Sequence, residues 1–162
     1  MPLTEGATQF AELNDVLGRL VEGARRALGD NFVGTYLVGS FALGDADIHS
    51  DCDFIVATGG PAHPAQEAIR RLHESFPTED GHWNRHLEGS YAPIDDLRRL
   101  DALGRDWLFI DHGHAEMEWS AHCNSPEHRR DDPERCRAWT CTSEKWPSDG
   151  GSGNAGAPST AA

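Results

Sequence analysis

The stretches Leu37-Val38-Gly39-Ser40 and Asp51-Cys52-Asp53-Phe54, with ten residues between them, decide how the fold of this chain is read. The first ends a run of β-branched and aromatic residues that begins at Val33, and the second opens another apolar run. Both runs are typical of strands, and Gly39 marks the end of the first. Because side chains alternate along a strand, we expect Asp51 and Asp53 to share one face while Cys52 and Phe54 point into the core.

Helix and strand signals alternate on either side of these stretches. Apolar residues spaced three and four apart predict helices over 10–29 and 63–76, and a short helix is expected over about 95–100. The predicted strands are 33–38, 53–57, 83–91, 107–110 and 115–119, the last as a hairpin partner of the fourth. This alternation predicts an α+β fold, α/β-like, with a small mixed β-sheet backed by helices.

Composition limits the partners of the protein. The 162 residues contain 14 Lys and Arg against 27 Asp and Glu, a net charge of −13. That excess argues against a nucleic-acid binder and suits a cationic small molecule, although acidity also serves solubility. No apolar run approaches the ~18 residues of a membrane span, so we expect a cytoplasmic protein without a membrane partner.

Apolar residues other than Ala, Cys, Trp and Pro are confined to the first 117 residues of the chain. After Met117 there is no Val, Ile, Leu, Phe, Tyr or Met, and the sequence from Ser148 is rich in Gly, Ser and Ala. A segment this poor in apolar residues does not offset the entropy of ordering its backbone. We therefore predict one domain over 1–125 and a low-complexity, disordered tail over 126–162, with a truncated or out-of-frame ending from about Arg130.

The turn at Gly39 and the two aspartates together predict a nucleotide site. Gly39 lacks a Cβ, so a ligand can approach the backbone closely, and Ser40 offers a hydroxyl and an N–H at the expected start of a helix. Ser40 could equally serve as a helix N-cap. Asp51 and Asp53 would supply two hard oxygen ligands beside this phosphate-binding turn, which is the chemistry of a Mg²⁺ site.

Two further residues are candidates for the same site. Glu88 lies in the third predicted strand, and if that strand neighbours the one with Asp53, three carboxylates converge. Glu88 would then accept the proton of an attacking hydroxyl or share a second metal. Ser50 either caps the turn before the strand or contacts the nucleotide. A zinc site formed by the histidines and cysteines is not predicted, because the close pairs of cysteines typical of structural zinc sites are missing.

Gly39-Ser40 followed by Asp51-x-Asp53 resembles the signature of the polymerase-beta-like nucleotidyltransferase superfamily. Within it, Ser50-Asp51-Cys52-Asp53 and Glu88-Gly89-Ser90-Tyr91 are most similar to bacterial aminoglycoside adenylyltransferase-like proteins, a resemblance that covers roughly residues 15–125. It implies the nucleotidyltransferase fold and Mg²⁺-dependent transfer of AMP from ATP to a hydroxyl of a small molecule, such as an aminoglycoside, with release of pyrophosphate. By the same resemblance, Ser40 would hold the terminal phosphates, Asp51 and Asp53 the metals, and Glu88 would be the base.

Two alternative functions remain open at this point. Enzymes of this kind carry a C-terminal helical domain, most of which has no counterpart in this sequence, so the chain could be a non-catalytic fragment. It could also be a nucleotidyltransferase that modifies a protein, as small enzymes of toxin–antitoxin pairs do.

Overall fold

A computed structural model describes residues 7–78, 80–113 and 116–126. Its five strands are β1 (Phe32–Val38), β2 (Cys52–Thr58), β3 (Leu87–Pro93), β4 (Trp107–Asp111) and β5 (Glu116–Ser120). Its α-helices are α1 (Ala11–Leu28), α2 (Gly39–Leu43), α3 (Gln66–Ser75) and α4 (Ile94–Leu97). The expectation of a mixed α+β fold with a sheet backed by helices is confirmed.

The strands form one sheet in the order β1-β2-β3-β4-β5. Only β2 and β3 run parallel, and the other neighbouring strands are antiparallel. The parallel connection passes through α3, as expected for two parallel strands that are adjacent in one sheet. β2 and β3 are both interior strands of the sheet, and because they are parallel their amino-terminal ends lie side by side.

One face of the sheet, the helix face, carries the main core. The buried stripe of α1 packs with Phe54 and Val56 of β2 and with Leu87 and Tyr91 of β3. The helix predicted over 10–29 is confirmed, and it ends before Gly29, whose φ of 56° is unfavourable for any residue with a Cβ. Cys52 and Phe54 are fully buried, as the alternation of side chains predicted.

The opposite face, the acid face, carries a second and smaller core. Tyr36, Ile55 and Trp107 pack there with Ile94 and Leu97 of α4. This apolar cluster covers the far half of the face. The half near the amino-terminal ends of β2 and β3 carries acidic side chains.

The strand predicted over 83–91 is wrong in its first half. Trp83–Arg85 form a 3₁₀ turn, and β3 begins only at Leu87. Trp83 is 1% exposed because its indole packs against the rings of Phe10, the residue before α1, and Phe41 of α2.

Two further expectations concern the ends of the chain and the membrane. Of the predicted tail over 126–162, only Pro126 belongs to the described residues, and the rest lies outside them. None of the helices in the described part of the chain is long and apolar enough to cross a bilayer.

A buried chain of hydrogen bonds ties α3 to β3 and to the end of β4. His112 Nδ1 lies 3.1 Å from the carbonyl oxygen of Asn84, and His112 Nε2 lies 2.7 Å from His73 Nδ1. His73 Nε2 lies 2.8 Å from the Tyr91 hydroxyl. Because a carbonyl oxygen only accepts, His112 must donate from Nδ1. Burial lowers the pKa of both histidines and so favours their neutral forms. With both imidazoles neutral, His73 donates from Nδ1 to His112 Nε2, and the Tyr91 hydroxyl donates to His73 Nε2.

We expect this histidine pair to make the protein sensitive to acid. Burial lowers the pKa of His112 to about 4 and lowers the pKa of His73 well below its usual range. As the pH falls below about 6.5, the unfolded chain binds protons that the folded chain does not. For His112 alone, the free energy of unfolding should be about 2 kcal/mol lower at pH 5 than at pH 7.5.

Urea titrations at both pH values measure this loss. His112→Asn should reduce the difference in unfolding free energy between the two pH values, while His49→Ala, at an exposed histidine, should leave it unchanged. Other titrating groups are common to all three proteins, so they cancel in the comparison. Equal pH dependence in the His112 variant and the wild type would contradict the assignment.

Candidate active site

Three carboxylates lie in one row across the acid face. Asp53 of β2 is the direct neighbour of Glu88 of β3, and Glu88 is the direct neighbour of Asp111 of β4. Neighbouring residues of paired strands project from the same face, so the three side chains stand together. The convergence of Asp53 and Glu88 expected from the sequence is therefore present, and Asp111 is an addition that the sequence did not indicate.

The electrostatics of this row reflect crowded negative charge. Burial, reinforced by Glu88 and then Asp51, raises the pKa of Asp53 to about 7. Burial is also the main cause that raises the pKa of Glu88, and the negative charge of Asp111 adds to the rise. The imidazole of His122 opposes it. Like charges this close disfavour ionisation, so a cation at this position would stabilise the ionised carboxylates.

The turn between β1 and α2 lies directly against this row. Gly39 has a φ of 65°, and a Cβ added there would collide with Oδ2 of Asp53. Two features therefore require a glycine at this position: the positive φ and the absence of space for a Cβ beside the Asp53 carboxylate. Ser40 lies in the first turn of α2, as predicted, so its backbone sits next to the carboxylate row.

Asp51 precedes β2 and contacts a histidine. Its Oδ1 lies 3.0 Å from Nδ1 of His86, the residue just before β3. Asp51 is exposed, and Asp53 beyond it is partly buried. The electrostatic influence of Asp51 on both Asp53 and Glu88 places it at the edge of the same cluster.

Ser50 closes the loop that leads to Asp51. Its hydroxyl accepts a hydrogen bond from the backbone N–H of Asp47 at 3.0 Å and donates to Asp47 Oδ1 at 3.2 Å. These contacts fit the turn-capping alternative for Ser50. Its assignment as a nucleotide contact stays a prediction.

A histidine that follows β5 completes the cluster. Nε2 of His122 lies 3.2 Å from Oε1 of Glu88. The short turn that carries His122 is fixed by the buried Asn124 amide, which donates to the carbonyl oxygens of Ala102 at 2.8 Å and Arg105 at 2.9 Å. Sequence reasoning missed His86 and His122 because neither forms a local motif with the acid that it contacts.

The groups available to a cation at this site are carboxylate oxygens. In residues 7–78, 80–113 and 116–126, no group of three or more His, Cys, Asp or Glu side chains is arranged to hold a metal by itself. Mg²⁺ is commonly bound by one or two carboxylates plus phosphate oxygens of the substrate. Asp51 and Asp53 are the two carboxylates that would fill this role.

Comparison with known proteins adds no assignment. No protein-family model matches the chain, and a search of curated proteins gives no match.

Proposed function

We propose that this chain is a Mg²⁺-dependent nucleotidyltransferase of the polymerase-beta-like superfamily. It would transfer AMP from ATP to a hydroxyl of a small, cationic acceptor, with an aminoglycoside as the first class to test. The observation that carries this proposal is the contact of the Asp53 carboxylate with the turn at Gly39, beside Glu88. A phosphate-binding turn, a metal ligand and a base are needed within a few ångströms of one another for this chemistry.

Each residue has a separate role in the proposed reaction. Asp51 and Asp53 hold the metal, and the backbone of Gly39 and Ser40 receives the terminal phosphates. When bound, Mg²⁺ supplies positive charge that neutralises the phosphate oxygens. Glu88 accepts the proton of the acceptor hydroxyl while its oxygen attacks the α-phosphorus. The bond from that phosphorus to the bridging oxygen breaks, and pyrophosphate leaves with the bonding electrons.

The raised pKa of Glu88 favours its role as the base. A carboxylate is a better proton acceptor when its pKa is nearer the working pH. Burial is the main cause of the rise in the pKa of Glu88, and the neighbouring Asp111 adds to it. His122 contacts Oε1 of Glu88, and the proton of the acceptor hydroxyl would go to the other carboxylate oxygen.

The acceptor is proposed to be cationic because the acid face would attract positive charge. Asp53, Glu88 and Asp111 are in a row, and Glu116 is the strand neighbour of Asp111. A neutral acceptor would gain nothing from this arrangement, whereas an amino sugar would be drawn toward it.

We expect Mg²⁺ and a non-hydrolysable ATP analogue to stabilise the protein together. At one hundred times its dissociation constant, a ligand specific for the folded state adds about 2.7 kcal/mol to the free energy of unfolding. Thermal denaturation with both ligands, with each alone and with neither measures this effect. A shift of the same size without a divalent cation would contradict a shared metal site.

Catalysis is tested separately by pyrophosphate release from ATP and a panel of aminoglycosides. Glu88→Gln should keep the ligand-induced thermal shift, because Asp51 and Asp53 are unchanged, and should lose about 100-fold or more in turnover, because the amide cannot accept the proton. Asp106→Asn, at an exposed acid beyond the opposite end of the sheet, is the matched control and should retain full turnover. Full turnover in the Glu88 variant would exclude it as the base.

A further inference from the structure

The imidazole of His86 is held in one orientation by contacts on several sides. The ring of His82 stacks on it, with 4.2 Å between the ring centroids and an interplanar angle of 20°. The indole of Trp83 lies edge-on to it, with 6.5 Å between the ring centroids. Trp83 is itself buried against Phe41 of α2. The imidazole therefore packs on an aromatic cluster that includes Phe41 of α2, the helix that begins at Gly39.

The backbone of His86 is bound to the aspartate-bearing segment. Its carbonyl oxygen accepts a hydrogen bond from the N–H of Cys52 at 2.7 Å, and its own N–H donates to the carbonyl oxygen of Trp83 at 3.1 Å. Cys52 is the residue between the two aspartates. The main chain thus brings His86 to the start of β2, and the side chain then reaches Asp51.

In the contact between His86 and Asp51, the chemistry of the two groups decides which one donates the hydrogen bond. A carboxylate oxygen accepts, so His86 Nδ1 must donate to Asp51 Oδ1. Asp51 lies before the first residue of β2, so the strand alone does not orient its side chain. The hydrogen bond occupies one oxygen and leaves the second oxygen of Asp51 for a metal ion. Partners of this kind fix the orientation of metal-binding carboxylates in proteins.

We propose that His86 is a positioning residue that orients Asp51 for divalent-cation binding through the hydrogen bond from Nδ1. The inference rests on the proposed function, because it takes Asp51 as a metal ligand. It adds a residue that no motif in the sequence indicated, and it assigns that residue a role in cation affinity rather than in proton transfer.

Manganese binding to the full chain tests this role without any acceptor. We expect His86→Ala to weaken the affinity for Mn²⁺ by about 10- to 100-fold, measured by the paramagnetic resonance of free Mn²⁺ in the presence of the non-hydrolysable ATP analogue. His86→Asn places an amide N–H near the position of Nδ1 and should recover most of the affinity. His63→Ala, at an exposed histidine stacked on Trp119, is the matched control and should bind Mn²⁺ like the wild type.

The sign of the change in Mn²⁺ affinity of His86→Ala distinguishes a positioning role of His86 from an effect of its charge. Any positive charge on the imidazole would repel a cation, so an effect of charge alone predicts tighter Mn²⁺ binding in His86→Ala. In an Asp51→Asn background, His86→Ala should change the affinity no further, because the contact acts through Asp51. A melting temperature close to that of the wild type for His86→Ala excludes unfolding as the cause.

The outcomes distinguish the two proposals. Wild-type affinity in His86→Ala, or an equal loss in the Asp51→Asn background, would overturn the positioning role and leave the proposed function standing. Failure of the wild-type protein to bind Mn²⁺ with or without the nucleotide analogue would overturn the metal site and this inference with it.

Discussion

Asp53→Asn should nearly abolish nucleotide transfer and, at the same time, make the protein more stable. Loss of one charged group that organises the transition state costs about 100- to 1,000-fold in turnover. Asp53 is the strongest candidate for such a group because its carboxylate lies against the turn at Gly39 and beside Glu88. The amide of Asn has almost the same shape but no charge, so the core on either side stays packed.

The stability gain follows from the pKa of Asp53. Burial, Glu88 and Asp51 raise this pKa from 3.8 to about 7 in the folded protein. The contribution of Asp53 to stability is therefore fully present below pH 3.8 and is lost as the pH rises through 7. At pH 8 the ionised carboxylate destabilises the fold, and its replacement by Asn should add about 1 kcal/mol to the free energy of unfolding.

Urea denaturation at pH 8 and pH 5, combined with pyrophosphate release, tests both effects. Relative to the wild type, Asp53→Asn should be more stable at pH 8 and should lose this advantage at pH 5, where the wild-type carboxyl is protonated in the folded protein. Asp106→Asn is again the control, and it should change neither stability nor turnover. A variant at position 53 that is less stable at pH 8, or fully active, would refute the assignment.

Gly89→Ala should destabilise the protein by about 3 kcal/mol or more, a large share of the free energy of unfolding of a typical domain. Gly89 is buried in β3 beside Phe54 of β2, and a Cβ there would collide with the carbonyl oxygen and the ring of Phe54. Both strands are central in the sheet and hydrogen-bonded on each side, so neither can move away. This close approach explains why a glycine follows Glu88.

Thermal and urea denaturation of the variant measure the loss. Gly60→Ala is a suitable control, because a Cβ there would meet only Asn31 Oδ1 at 3.6 Å, an ordinary contact. Its free energy of unfolding should change by less than about 0.5 kcal/mol. Similar stability of Gly89→Ala and Gly60→Ala would contradict the close packing of β2 and β3.

The sequence predicted those elements whose pattern is local. The apolar spacing of α1 and the apolar runs of β1, β2 and β4 depend only on neighbouring residues, and all four elements are present. The stretch at Trp83–Arg85 was wrongly predicted as part of a strand, because one tryptophan among polar residues resembles the alternation of apolar and polar residues in a strand. Its burial comes instead from two distant rings, Phe10 and Phe41.

The candidate site was predictable only where its residues form a local pattern in the sequence. Asp51 and Asp53 belong to one motif, and Glu88 could be inferred from a neighbouring strand. Asp111, His86 and His122 join the cluster only through strand register and loop closure. The spacing of residues in a single sequence does not specify either of these.

The single parallel strand pair also has a kinetic consequence. Asp53 and Glu88 meet only when β2 pairs with β3, and α3 lies between these two strands along the chain. Pairing across such a sequence separation is slower than closing a hairpin such as β4–β5. During refolding, the capacity to bind a divalent cation should therefore return with the slowest phase, after most of the helical signal has recovered.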